Sequence, residues 1–500
     1  MHRRAHPCVP FPSRKGFGVA QAAMRQLRKA IAPRLAAREL PVHHRATLPA
    51  AAAGGKCTTG QDRVAHDAAS TVESPARPAL SIRATVSRWR FVPQARRPRR
   101  RMSYGGGTMG AGSPHVAIVG GGIAGLTLGL ALARAEVPFA LHEQADHLRE
   151  VGAGIQLAPS ATRLLDRLGL ATALRSIAST PVAMEFRRWA DNSVLVRHAL
   201  GPELEERYGA PYYTVHRADL QRALIDALSV DALRVGRRCI AVRENPDGVT
   251  LWFADGSSAS ADVTVGADGI HSVVRGTLAA DHPRFSGETI YRGLVPADRL
   301  PPSLREPKVV LWLGPGQHCV RYPVAGDRLV SFSATVPGSD WRSESWSAQG
   351  SVDDLVEAYA DWHPDVVSLL GAADSVSRWA LHDREPIDRW STGRVTLVGD
   401  SAHPMLPFLA QGANQAVEDA VVLAACLRGI APAGIAAALA RYEGIRRART
   451  AEVQRRSRAN TTTFHLDDGE EQRARDAAMT TLDRRAQDWL YGYDAELATG

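Results

Sequence analysis

The chain has 500 residues, 45% hydrophobic and 23% charged, with 43 glycines and 30 prolines, an ordinary globular composition for two to three domains that excludes a fibrous, collagenous or wholly disordered protein. A formal charge of +9 points first to a nucleic acid or an anionic membrane, but the charge is concentrated. Residues 1–112 carry 21 Lys and Arg against four acids, whereas residues 113–500 carry 40 basic and 48 acidic residues, so the remainder is mildly acidic.

In chain order, residues 1–112 come first. They lack a sustained hydrophobic period, cluster Pro and Arg between Pro93 and Arg101, and end in the Gly-rich run Tyr104 to Gly112. Such a segment buries too little apolar surface to offset its ordering entropy, so a disordered basic extension is expected. Three readings stay open for it: an extended or misassigned start with Met102 or Met109 as the natural beginning, a targeting segment, or a basic arm for nucleic acid or membrane. Five widely spaced cysteines (Cys8, Cys57, Cys239, Cys319, Cys426) form no metal-ligand spacing and read as reduced thiols of a cytoplasmic protein; no metal is expected. No apolar run is long enough to span a membrane.

From Pro114 strand and helix signals alternate. His115 to Val119 reads as a strand, Leu126 to Ala133 as a helix and Phe139 to His142 as the next strand, a βαβ opening that implies a parallel sheet. Between first strand and helix, Gly120, Gly122 and Gly125 match GxGxxG, with Ala124 inside the motif and Glu143 and Gln144 at the end of the second strand. Gly120 permits the tight turn, Gly122 lets a pyrophosphate approach the helix N-terminus, Gly125 allows close packing, and Glu143 would accept from ribose hydroxyls. A second strand-to-turn corner runs from Asp262 through Asp268 to Arg275. A third leads from Arg394–Val398 into Gly399-Asp400-Ser401-Ala402-His403-Pro404, then to a helix through Gly412 and Ala413. Alternating segments at about 181–212 and 286–384 (Val182 to Trp189, Val194 to Val196, Val309 to Leu313, Cys319 to Val324, Leu329 to Ala334) read as a separate sheet, on which His318 and Tyr322, four apart, face the same side.

GxGxxG, DGxxSxxR at Asp268 to Arg275 and GDSAHP at Gly399 to Pro404 together resemble the single-component FAD-dependent aromatic hydroxylases. Val151 to Pro159, His216 to Leu220 and Trp489 to Asp494 are most similar to salicylate hydroxylases, 3-hydroxybenzoate 6-hydroxylases and 6-hydroxynicotinate 3-monooxygenases; the resemblance covers roughly 114–500. It implies a p-hydroxybenzoate-hydroxylase-like α/β fold, a Rossmann-like FAD-binding domain (113–180, 213–285 and 385–428) interleaved with a β-sheet substrate domain (181–212 and 286–384) and followed by a helical C-terminal region (429–500). It implies non-covalent FAD, NADH or NADPH as co-substrate without a nucleotide domain of its own, O2, and ring hydroxylation through a flavin C4a-hydroperoxide, in a monomer or homodimer with no nucleic-acid or membrane partner.

The resemblance also assigns roles. Asp400 would bind the flavin ribityl chain, Arg217 would reach the flavin, the Gly412-Ala413 helix start would face the flavin ring, and Asp268 and Arg275 would serve the pyrophosphate and the nicotinamide. His318 and Tyr322 would meet the substrate phenol and carry its proton. Gln156 stands where the hydroxynicotinate enzymes carry a histidine base, which makes that substrate less expected. His403, Pro407 and Phe408 would contact the substrate, with Pro407 and Phe408 an apolar wall and His403 alternatively a loop histidine packed beneath Pro404. Competing readings are a hydroxylase of a heterocycle such as urate, an epoxidase of an apolar substrate, or a protein acting through its basic arm. A tryptophan halogenase is disfavoured because WxWxIP is missing.

Overall fold

The computed structural model describes residues 113–147, 153–338, 348–481 and 484–499; the basic segment 1–112, Val151 and Gly152 lie outside them. A parallel sheet runs in the order Val395–Leu397, Val263–Gly266, Val116–Val119, Phe139–His142, Leu233–Arg234. Its central strands are short and buried throughout, as strands covered on both faces are. The helix Ile123–Arg134 returns across this sheet and packs against the helix Gly412–Leu427, which explains why it is buried on nearly every side. The three motif loops each follow the C-terminal end of one of three neighbouring strands, so the topology gathers at one sheet edge what the sequence scatters over 280 residues.

The second sheet has the order Gln349–Gly350, Val376–Asp383, Arg284–Pro296, Leu329–Pro337, Gln317–Val324, Lys308–Gly314, Ala183–Arg188, Val194–Ala199. All its pairings are antiparallel except that of Ala183–Arg188 with Lys308–Gly314, where the chain's two visits to the sheet meet. One face, carrying Trp312, Phe332, Ala334 and Tyr291, is sealed by the helices Val352–Ala358 and Pro364–Gly371. The other face carries His318, Val320 and Tyr322 and is covered by the loop 405–409 and the end of the helix Ile435–Phe464. That 30-residue helix links the sheets: the Tyr442 hydroxyl donates to the Leu397 carbonyl, and Arg458 donates to the Asp383 carboxylate at 2.7 Å, while Ser457 donates to the carbonyl of Leu406 in the covering loop. Among the described residues Cys239, Cys319 and Cys426 are buried and free, and no helix is long and apolar enough to cross a membrane.

Candidate active site

The turn after Val116–Val119 is shaped by glycine where only glycine fits. Gly120 has φ +110°, and a Cβ there would lie 2.3 Å from the Ala267 carbonyl oxygen; a Cβ on Gly125 would lie 1.9 Å from the Gly120 oxygen. Gly122 differs, since nothing stands within 4 Å of a Cβ built on it, and it caps the helix Ile123–Arg134. Close packing behind and open space in front make a helix N-terminus ready for a pyrophosphate. Glu143 accepts from the Gly121 and Ala145 amides at 2.6 and 2.8 Å, one on each oxygen, which fixes its carboxylate beside the turn with lone pairs to spare. Gln144 is exposed next to it, and Ala124 packs against Gly399.

Asp400 lies in the turn Gly399–Ser401 that follows Val395–Leu397. Its side chain is exposed, yet surrounding protein pushes its carboxyl up, with His403 and Arg217 pulling it partly back. Burial lowers the Arg217 guanidinium at the start of the helix Arg217–Ala227, and Asp400 opposes that shift. A Cβ on Gly412 would stand 3.8 Å from Asp400 Oδ1, so the N-terminus of Gly412–Leu427 opens beside the same carboxylate. Gly122, Glu143, Arg217, Asp400, Gly412 and Ala413 thus offer an anion cradle, hydroxyl acceptors and a helix dipole, which suits the pyrophosphate, riboses and ring of FAD.

Two expected contacts are corrected. Arg275 is 1% exposed: it grips Asp281 at 2.9 and 2.7 Å and donates to the Ser401 and Ala402 carbonyls at 2.9 and 2.8 Å. It clamps two motif loops together rather than facing a nucleotide. His403 is wholly buried, bonded to Asp419 at 2.5 Å and packed on Trp390, so it is no substrate contact. Asp268 is half-buried and braces its own turn, accepting from Ser272 and from the Val273 amide, and from Ser401 at 3.1 Å.

Behind Asp400 sits a charged network that the motifs did not disclose. Asp419 accepts from the Gly399 amide at 2.9 Å and from Arg446 at 2.8 Å, while Arg446 also reaches Glu418 at 2.6 Å; all three side chains are wholly buried. Burial works against the Asp419 anion, but His403 and Arg446 outweigh it and hold the carboxyl down at about 2. Two adjacent acids in an otherwise uncharged helix were the available signal.

The strand Gly154–Leu157 joins this cradle to the second sheet. Asn414 accepts from the Ala158 amide and donates to the Gln156 carbonyl, while Gln156 accepts from the Tyr212 hydroxyl at 2.7 Å. A Cβ on Gly154 would fall 2.3 Å from the Tyr322 ring, so that glycine lets the tyrosine come close. On the sheet, Tyr322 pairs with Ser331 and Val320 with Ser333; the next strand places Leu294 beside Ser331 and Arg292 beside Ser333. Tyr322 is 5% and His318 3% exposed, whereas Val320, Leu311, Leu294, Phe186 and Arg292 keep partial exposure, a partly apolar floor between them.

Burial raises the Tyr322 phenol, with Arg292, Ser331 and Gln156 pulling it partly back, and burial lowers His318 well below the usual imidazole value. Burial also draws Arg292 down to about 10. Phe408 packs edge-on against His318, with ring centres 5.0 Å apart, and so seats that imidazole; Pro407 is half-buried beside it.

Residues 114–457 match the family model described as an FAD-binding domain. A 3-amino-4-hydroxybenzoate 2-monooxygenase of Streptomyces platensis is 52% identical over 383 residues, covering 76% of this chain and 96% of the relative. Among solved structures, Klebsiella pneumoniae HpxO complexed with FAD and uric acid is 29% identical with TM-score 0.68, and a salicylate hydroxylase substrate complex is 31% identical with TM-score 0.68. Each covers 77% of this chain and 97% of its own.

Proposed function

The chain belongs to the FAD-binding-domain family of flavin-dependent monooxygenases of small phenolic aromatics, and we propose that its substrate is a ring of the 3-amino-4-hydroxybenzoate type, a phenol bearing a carboxylate and an ortho amino group. FAD is its cofactor, with O2 and a reduced nicotinamide as co-substrates. When bound, FAD supplies activated oxygen, and the chain's own residues prepare the ring to receive it.

The observation that carries this reading is the floor around Val320, flanked by His318 and Tyr322 with Arg292 in the adjoining row, in a chain 52% identical to an enzyme named for that substrate. Arg292 supplies the positive charge for a carboxylate. His318, neutral through burial, accepts the phenol proton, and Tyr322, still protonated, donates to the resulting phenolate, which is the better nucleophile toward an electrophilic oxygen. Gln156 orients Tyr322. We assign residues 113–180, 213–285 and 385–428 to FAD and 181–212 and 286–384 to substrate. We place the enzyme in the cytoplasm, supported by free Cys239, Cys319 and Cys426 and by the acidic balance of residues 113–500.

The test is turnover of the FAD-loaded protein with 3-amino-4-hydroxybenzoate beside salicylate, 3-hydroxybenzoate and 6-hydroxynicotinate. Nucleotide consumed, O2 consumed and hydroxylated product should agree one to one only for the first. Hydrogen peroxide without product from that compound, with tight coupling on another, overturns the assignment.

A further inference from the structure

Glu288 is 6% exposed and its Oε2 has no hydrogen-bond partner, while its Oε1 lies 2.8 Å from His465 Nδ1. His465 in turn meets His318: Nε2 is 2.7 Å from His318 Nδ1, and the two rings stack with centres 5.0 Å apart. A carboxylate this buried, with one oxygen unpaired, is costly unless a proton or cation compensates it, and His465 is its one ion-pair partner among the described residues.

Three local devices bring these groups together. Gly287, at φ +92°, lies within the irregularity where the strand Arg284–Pro296 shifts register against Val376–Asp383, and such a bulge re-aims the neighbouring side chain. The His465 carbonyl accepts from the Gly316 amide at 3.1 Å, tying the end of the long helix to the hairpin before His318. Phe408 and Phe464 pack edge-on against the His318 ring. With Nδ1 turned to His465 and Thr335, Nε2 is the His318 atom left for the substrate.

We propose that Glu288 and His465 are positioning residues that form a proton relay behind His318. The phenol O–H bond of the substrate breaks as its proton passes to His318 Nε2; His318 Nδ1 gives its proton to His465 Nε2; and His465 Nδ1 gives its proton to Glu288, leaving a phenolate and a neutral carboxylic acid. No charge is created overall. The relay rests on the phenol reading above.

The other groups around it are the uncharged Thr335, Phe408 and Phe464 and, across the sheet, the Tyr359 hydroxyl, which is spent on the His318 and Thr335 carbonyls. The FAD-loaded enzyme is titrated with 4-hydroxy-3-nitrobenzoate, a phenol whose phenolate has its own absorption, in wild type, Glu288→Gln, His465→Gln and Glu288→Asp. When the pH is raised rapidly, the rate at which the bound phenol becomes phenolate should fall about tenfold or more in both glutamine variants, with Glu288→Asp in between, at unchanged FAD content and Tm.

The rate is decisive. If Glu288 acted only as a nearby negative charge, Glu288→Gln would lower the equilibrium midpoint of the bound phenol and would not slow its deprotonation. An unchanged or faster rate in Glu288→Gln overturns the relay while leaving the phenol reading standing; should that variant fail to fold, His465→Gln decides by the same criterion. Failure of the wild-type enzyme to bind the nitrophenol overturns the phenol reading and the relay with it.

Discussion

Tyr322 and His318 sit on one strand face, and burial moves their ionisations in opposite directions, so both are neutral where the enzyme works. Tyr322→Phe should therefore leave substrate-stimulated nucleotide oxidation in place while product falls, about 10²-fold in the hydroxylation step, and peroxide rises; product per nucleotide consumed is the measurement. Gly154→Ala should produce a milder version of the same uncoupling, because its methyl group would overlap the Tyr322 ring and Ser331. The Gly122→Val protein should be colourless as purified and fail to take up FAD, since a branched side chain would occupy the open space before the helix. His318 and Tyr322 were legible as a pair because period-two spacing needs no tertiary information. Of the two readings open for His403 the packed one holds, and the sequence could not choose because what decides its direction is Asp419, sixteen residues further along and on another element. Glu288 and His465 were invisible for a related reason, as a strand irregularity and a helix end jointly place them.

At the level of elements, the loop carrying Asp400 is held from behind by the helix Gly412–Leu427 and the long helix Ile435–Phe464. Arg446→Met would leave Glu418 and Asp419 buried without that cation, at a cost of about 3–5 kcal/mol; a Tm drop with loss of bound FAD is expected. Acid should act on the same loop. Asp419 and the Arg275 partner Asp281 are both held at about 2 when folded, below an ordinary carboxylate, so the stability they contribute is present above about pH 4 and lost as pH falls from there toward 2. Thermal melts across that interval should decline steeply, together with flavin release. The parallel sheet was readable from glycine spacing and short apolar strands. The brace behind Asp400 was not, because its charges lie on helices whose facing sides a linear sequence does not show.

For the whole molecule, the division of charge was visible in composition alone, and the family match begins at residue 114, just after the basic segment. A chain starting at Met109 should fold, bind FAD and turn over as the full chain does; loss of soluble expression or of activity would give residues 1–108 a structural role. The interleaving of the two sheets was legible because strand signals interrupt the Rossmann-like pattern twice. The parallel pairing of Ala183–Arg188 with Lys308–Gly314 was not, since nothing local selects a partner more than a hundred residues away.

That interleaving also has a consequence for synthesis. A ribosome that has delivered the chain through Asp383 has released all eight strands of the larger sheet, yet Val395–Leu397, Asp400 and the helix beginning at Gly412 are still to come. The cofactor cradle is thus completed by the last quarter of the polypeptide. Flavin cannot scaffold the nascent chain, and the larger sheet must survive in the cell, with its future substrate face uncovered, until the C-terminal helices emerge to close it.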